Sequence, residues 1–62
     1  MKKSAAQIFK AARRKQGLTQ KEVADKAGIF SNTYARIERG VQNPGYDTAR
    51  SIARALGVDL PK

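Results

Sequence analysis

The stretch LTQKEVADKAGIFSNTYARIERG, residues 18–40, decides the fold. It reads as two short helices joined by a tight turn. Thr19 stands three residues ahead of Glu22. That is the Ser/Thr-x-x-Glu spacing in which each side chain caps a backbone N–H left free in a helix's first turn. Val23, Ala24 and Ala27 recur at helical spacing and give the segment 20–27 a small apolar face. Gly28 follows, where a helix readily ends in a left-handed residue. Ile29 is the apolar plug of the turn. A further helix spans about 31–39, opened by Ser31 or Asn32, with Tyr34 and Ile37 three apart on its inner face and Gly40 closing it. Two helices separated by a glycine-containing turn form the helix-turn-helix pattern, whose second helix can lie in a DNA major groove.

Outward from this stretch the pattern stays helical. Residues 1–3, Met-Lys-Lys, make a basic arm that, with residue 4, is expected to be flexible. Ser4 stands three residues before Gln7, a second capping box. The first helix then runs over about 5–16, with Ala5, Ile8, Phe9 and Ala12 on one face and Gly17 ending it. After the central pair, residues 41–45 form a loop punctuated by Pro44-Gly45. A fourth helix starts at Tyr46 or Asp47 and reaches Leu56, with Ala49, Ile52, Ala53 and Leu56 as its apolar stripe and Gly57 ending it. Val58 and Leu60 are expected to fold back on the core. No apolar alternation persists between turn signals, so strands are not expected. The expected architecture is all-α: one domain over residues 1–62, a bundle of four helices plus a C-terminal stub. The expected core is Ile8, Phe9, Ala12, Leu18, Val23, Ala24, Ala27, Ile29, Tyr34, Ile37, Val41, Ala49, Ile52, Ala53 and Leu56. It is rich in alanine, so the helices must approach closely, and marginal stability follows from its small size. Glu22 and Lys26, four apart, make a favourable pair on the second helix.

Composition narrows the function. Thirteen Lys and Arg against five Asp and Glu give a formal net charge of +8, with a pI near 10.5. A polyanionic partner accounts for that bias; a merely solvated surface is the alternative. The chain has neither cysteine nor histidine. The first absence removes disulfides and thiolate chemistry, the second the commonest metal ligand and general base. No metal, cofactor, catalytic site or small-molecule substrate is therefore expected. No apolar run approaches the roughly 20 residues that span a bilayer, and the first residues lack a signal peptide's apolar core. A cytoplasmic protein without a membrane partner is the expectation.

The pieces GLTQKEVADKAGI, ARIERG and the NP ahead of ARALGV resemble the DNA-binding domain of the phage repressor/Cro family, also called Cro/C1-type or XRE. The resemblance covers about residues 9–58, and the order and spacing of the pieces carry it. It implies a bacterial or phage-encoded, nucleoid-associated regulator of transcription, a repressor in its simplest form, bound to double-stranded DNA through the third helix. It allows a homodimer on a palindromic site. Two departures stand out. Phe30 occupies the usual Ser or Thr cap of the third helix, so either Ser31 takes over the cap or Phe30 packs as a staple. Ala12 replaces the usual leucine and thins the core.

Ser31, Asn32, Thr33 and Arg36 are the candidates for reading bases. Asn pairs bidentately with adenine and Arg with guanine, and a Thr methyl can meet a thymine methyl. Gln20, at the start of the second helix, is a candidate phosphate contact, because helix starts offer free N–H groups and a positive dipole end. Arg39, Gln42 and Asn43 are expected to meet the phosphate backbone just past the third helix. Each also has the plainer reading of a solvated or capping side chain. The resemblance also implies an ion pair between Arg13 and Glu38. Arg13 follows Ala12 and lies beside Phe9, so its stem can run along the core boundary. Glu38 follows Ile37 and is the only acid on a helix carrying Arg36 and Arg39. A different class of function stays open, a protein-interaction module of antitoxin or coactivator-adaptor type.

Overall fold

The computed structural model describes residues 4–59. The expected basic arm at 1–3 and the packing of Leu60 lie outside the described residues. Four helices follow in order: α1 (Ala5–Lys15), α2 (Gln20–Ala27), α3 (Ser31–Glu38) and α4 (Tyr46–Leu56). No strand occurs among the described residues. Both capping boxes close. Ser4 Oγ accepts from Gln7 N–H at 3.3 Å while Ser4 N–H donates to Gln7 Oε1 at 3.2 Å. Thr19 Oγ1 accepts from Glu22 N–H at 3.0 Å while Thr19 N–H donates to Glu22 Oε1 at 2.8 Å. The Glu22 carboxylate is thus occupied by the cap. On α2 the four-apart ion pair closes between Lys21 and Asp25, at 3.0 Å, and not between Glu22 and Lys26.

Helix α2 packs against both α3 and α4, and α1 packs against the same two helices from another side. The centre is Phe9, Val23, Ala24, Tyr34, Ile37, Ile52, Ala53 and Leu56, all buried. Ala5, Ala12, Leu18, Ala27, Ile29, Ala49 and Val58 pack around it, partly covered. Ala24 and Ala53 at buried positions let helix backbones come close, which is how so few large side chains fill the interior.

The turn between α2 and α3 rests on Gly28, in the left-handed region at φ 75°. Gly28 N–H donates to Asp25 O at 3.3 Å and Ile29 N–H to Ala24 O at 3.0 Å. This double closure normally sets an apolar contact between the residue after the glycine and the one whose carbonyl it reaches. For Ile29 that residue is the buried Ala24, and Ile29 tucks in. The same closure follows α4, where Val58 N–H reaches the carbonyl of buried Ala53 and Val58 packs on the core. After α3, Gly40 is again left-handed, at φ 78°, and Val41 N–H reaches Arg36 O at 3.1 Å. Arg36 faces outward, so Val41 has no apolar partner and stays 69% exposed. The expectation of Val41 in the core is corrected on that ground.

Candidate nucleic-acid interface

The residues expected to act together divide into an inner network and an outer face. Inside, Arg13 Nε donates to Glu38 Oε2 at 2.7 Å and Arg13 Nη2 to Glu38 Oε1 at 3.0 Å. The third nitrogen, Nη1, donates to Leu18 O at 2.9 Å. Gln20 Nε2 donates to Glu38 Oε1 at 3.2 Å. One carboxylate at the end of α3 is therefore held by α1 and by the first residue of α2. The Glu38 side chain is only 2% exposed and that of Arg13 16%. Burial by itself pushes the Glu38 carboxyl up, but hydrogen bonds from Arg13 and Gln20 and the Arg13 charge outweigh it and hold the carboxyl below its ordinary value. The bond to Glu38 raises the Arg13 guanidinium in turn. The Tyr34 hydroxyl is enclosed beside this pair yet makes no hydrogen bond. It is an electrostatic neighbour of Glu38 and not a further donor, and burial, reinforced by the Glu38 charge, keeps the phenol protonated.

Outside, Gln20, Asn32, Ala35, Arg36 and Arg39 line one open hollow where α2 begins and α3 runs past it. Asn32, Arg36 and Arg39 recur at helical spacing along one exposed side of α3, with Gln20 as the neighbouring helix's contribution. Of the sequence candidates, the fold brings these four together. Ser31 is exposed at the first position of α3 but does not line the hollow, and Thr33 is half-buried. Gln42 and Asn43 are exposed in the loop beyond α3. Neither alternative for Phe30 occurs. Phe30 is the N-cap residue of α3, with extended backbone and no side-chain cap bond. It does not pack as a staple either, being 83% exposed. Sequence reading also missed the bond from Gln16 Nε2 to Leu56 O, 2.6 Å, which ties the end of α1 to the end of α4. A glutamine after a helix carries no signal for so distant a partner.

The helix-turn-helix family HTH_3 matches residues 9–62. The chain belongs to this Cro/C1-type helix-turn-helix family. Among relatives of this helix-turn-helix chain, the immunity repressor protein of Bacillus phage phi105 is 37% identical over 57 residues, 92% of this chain and 40% of the relative. The cryptic phage CTXphi transcriptional repressor RstR of Vibrio cholerae is 40% identical over 43 residues, 69% of this chain and 39% of the relative. An HTH-type transcriptional regulator of Methanothermobacter thermautotrophicus is 38% identical over 50 residues, 81% of this chain and 72% of that protein. The chain thus spans less than half the length of the two phage repressors it matches. In structure it is similar to a point mutant of the restriction-modification controller protein C.Esp1396I. The TM-score is 0.84 at 25% identity, covering 89% of this chain and 71% of that one. These relatives are a phage immunity repressor, a phage transcriptional repressor and an HTH-type transcriptional regulator, and what they share with this chain is the helix-turn-helix unit. No helix among the described residues is long and apolar enough to cross a membrane.

Proposed function

We propose that this chain binds double-stranded DNA sequence-specifically as a repressor, with α3 in the major groove. The observation that carries the reading is the shared hollow of Gln20, Asn32, Arg36 and Arg39 on a chain of net charge +8. Asn32 and Arg36 lie four apart on the exposed side of α3 and bring the side-chain types that pair with adenine and guanine. Ser31 and Thr33 stand beside them as further base-reading candidates. Arg39 at the end of α3, with Gln42 and Asn43 in the loop, meets the phosphate backbone, which fixes register without reading sequence. Gln20 spends one amide hydrogen on Glu38 and keeps its other hydrogen and its oxygen for the groove edge, where a phosphate would sit against the start of α2. The repressors from phi105 and CTXphi support the sign of regulation. A homodimer on a palindromic site and a cytoplasmic setting complete the proposal. The exposed apolar Val41 and Tyr46 favour the second reading, a protein-interaction module. A salt titration on duplex DNA separates the two. A binder that neutralises phosphates loses affinity with a log–log slope of about −0.9 per phosphate, whereas a salt-insensitive association sinks the DNA reading.

A further inference from the structure

Phe30 is a large apolar side chain left almost wholly in water, 83% exposed, at the leading end of α3. It occupies a position where Ser, Thr, Asp or Asn would bond a free N–H of the first turn, and it makes no such bond. The free fold therefore gains nothing from its side chain, neither a cap nor packing. The residues after it are polar and exposed: Ser31 and Asn32 follow it directly, and Asn32 lines the hollow with Gln20, Arg36 and Arg39. The other large exposed apolar residues among those described, Val41 and Tyr46, lie beyond the opposite end of α3, and Tyr46 already carries the Arg50 guanidinium 5.6 Å above its ring.

We infer that Phe30 is a specificity residue that reads a thymine methyl group through an apolar contact in the major groove. The inference rests on the proposed reading of α3 as the helix that enters the groove. In that docking the N-terminal residues of the helix meet the base edges. Phe30 stands at the N-terminal end of α3, the end that leads into the groove in that docking, and its side chain is exposed there. Every hydrogen-bonding group on the groove floor suits a polar side chain. The thymine 5-methyl is the one apolar group that the base pairs present there. An exposed aromatic ring directly ahead of Ser31 and Asn32 complements that methyl and none of the hydrogen-bonding groups on the floor. Its burial in the complex also supplies the covering that the free protein lacks.

The test uses the duplex selected by this protein from a random pool. Each thymine in it is replaced singly by deoxyuridine, which keeps both pairing edges and removes only the methyl. The unmodified chain is expected to lose about fourfold in affinity at one position per bound copy, the equivalent of one methyl group withdrawn from an apolar contact. Phe30→Ser is expected to bind thymine and deoxyuridine equally at that position, and Phe30→Leu to keep part of the difference. Because each variant is compared with itself on two duplexes, a general change in affinity does not enter the ratio. If Phe30→Ser keeps the same thymine-to-deoxyuridine ratio at every position, the inference is overturned while the DNA-reading proposal stands, and Phe30 then packs on the backbone or on another protein. If the pool yields no preferred sequence, the DNA-reading proposal itself fails first.

Discussion

Arg13 near the end of α1 grips Glu38 at the end of α3 through two bonds, Nε to Oε2 at 2.7 Å and Nη2 to Oε1 at 3.0 Å. The bond from Nη1 to Leu18 O ties the same guanidinium to the chain entering α2. A single side chain therefore sets α3 relative to the helix before it. The arrangement also removes a negative charge from the face on which Arg36 and Arg39 are exposed, where an open carboxylate would repel phosphate.

Removing one partner of this pair strands a charge in a site with little access to water. Glu38→Gln or Arg13→Met is expected to cost on the order of 3–5 kcal/mol, less where water enters. The double variant should cost less than the sum of the two, since it leaves neither charge alone. Thermal melts of the three variants check this. Additive effects below about 1 kcal/mol would mean that the pair is an ordinary surface pair.

The same carboxylate predicts how stability depends on pH. Glu38 is held below its ordinary value in the fold, whereas in the unfolded chain a glutamate titrates at about 4.3. Its contribution is then complete above that unfolded value and is lost as pH falls through the folded one. The melting temperature should drop from about pH 6 to about pH 3, and drop less in Glu38→Gln. Parallel curves for the two proteins would assign acid sensitivity to other carboxylates, Glu22 at its cap first among them.

Arg36→Ala is expected to weaken binding to the preferred duplex by roughly 1–3 kcal/mol and to relax the preference at one base pair. Its place four residues beyond Asn32, in the same hollow, motivates this. Equal weakening on all duplexes, measured by competition, would reduce Arg36 to a phosphate contact.

Gln20→Ala is expected to weaken preferred and random duplexes by similar factors, because contacts to phosphate position the protein without reading sequence. Loss of its bond to Glu38 leaves both carboxylate oxygens still held by Arg13, so the fold should survive. A loss confined to the preferred duplex would count against the assignment.

Phe30→Ser is expected to stabilise the free protein by about 1 kcal/mol, since it supplies the missing side-chain cap of α3 and gives up little buried apolar surface. In a domain of this size that is a rise of roughly 4–8 °C in melting temperature. An unchanged or lowered melting temperature would mean that the Phe30 ring stabilises the free fold after all.

Local patterns in the chain determined its helices. The spacings from Ser4 to Gln7 and from Thr19 to Glu22 are self-contained capping boxes, and Gly28 and Gly57 end their helices by their own conformational freedom. Phe9, Tyr34, Ile37, Ile52 and Leu56 fall on inner faces by helical period alone, because only one face of each short helix can be apolar. Tertiary structure decided what depends on a neighbour's identity. Ile29, Val41 and Val58 follow the same backbone closure, yet Val41 stays outside because the turn returns it to the outward Arg36 and not to a buried alanine. Asn32, Arg36 and Arg39 share a side by period, but Gln20 joins them only through the packing of α2 on α3. The gathering of Arg13, Gln20 and Glu38 onto one carboxylate likewise spans three helices. Helical periodicity orders residues within one helix. Which faces of different helices meet, and which polar groups are thereby buried together, is fixed only when the helices pack.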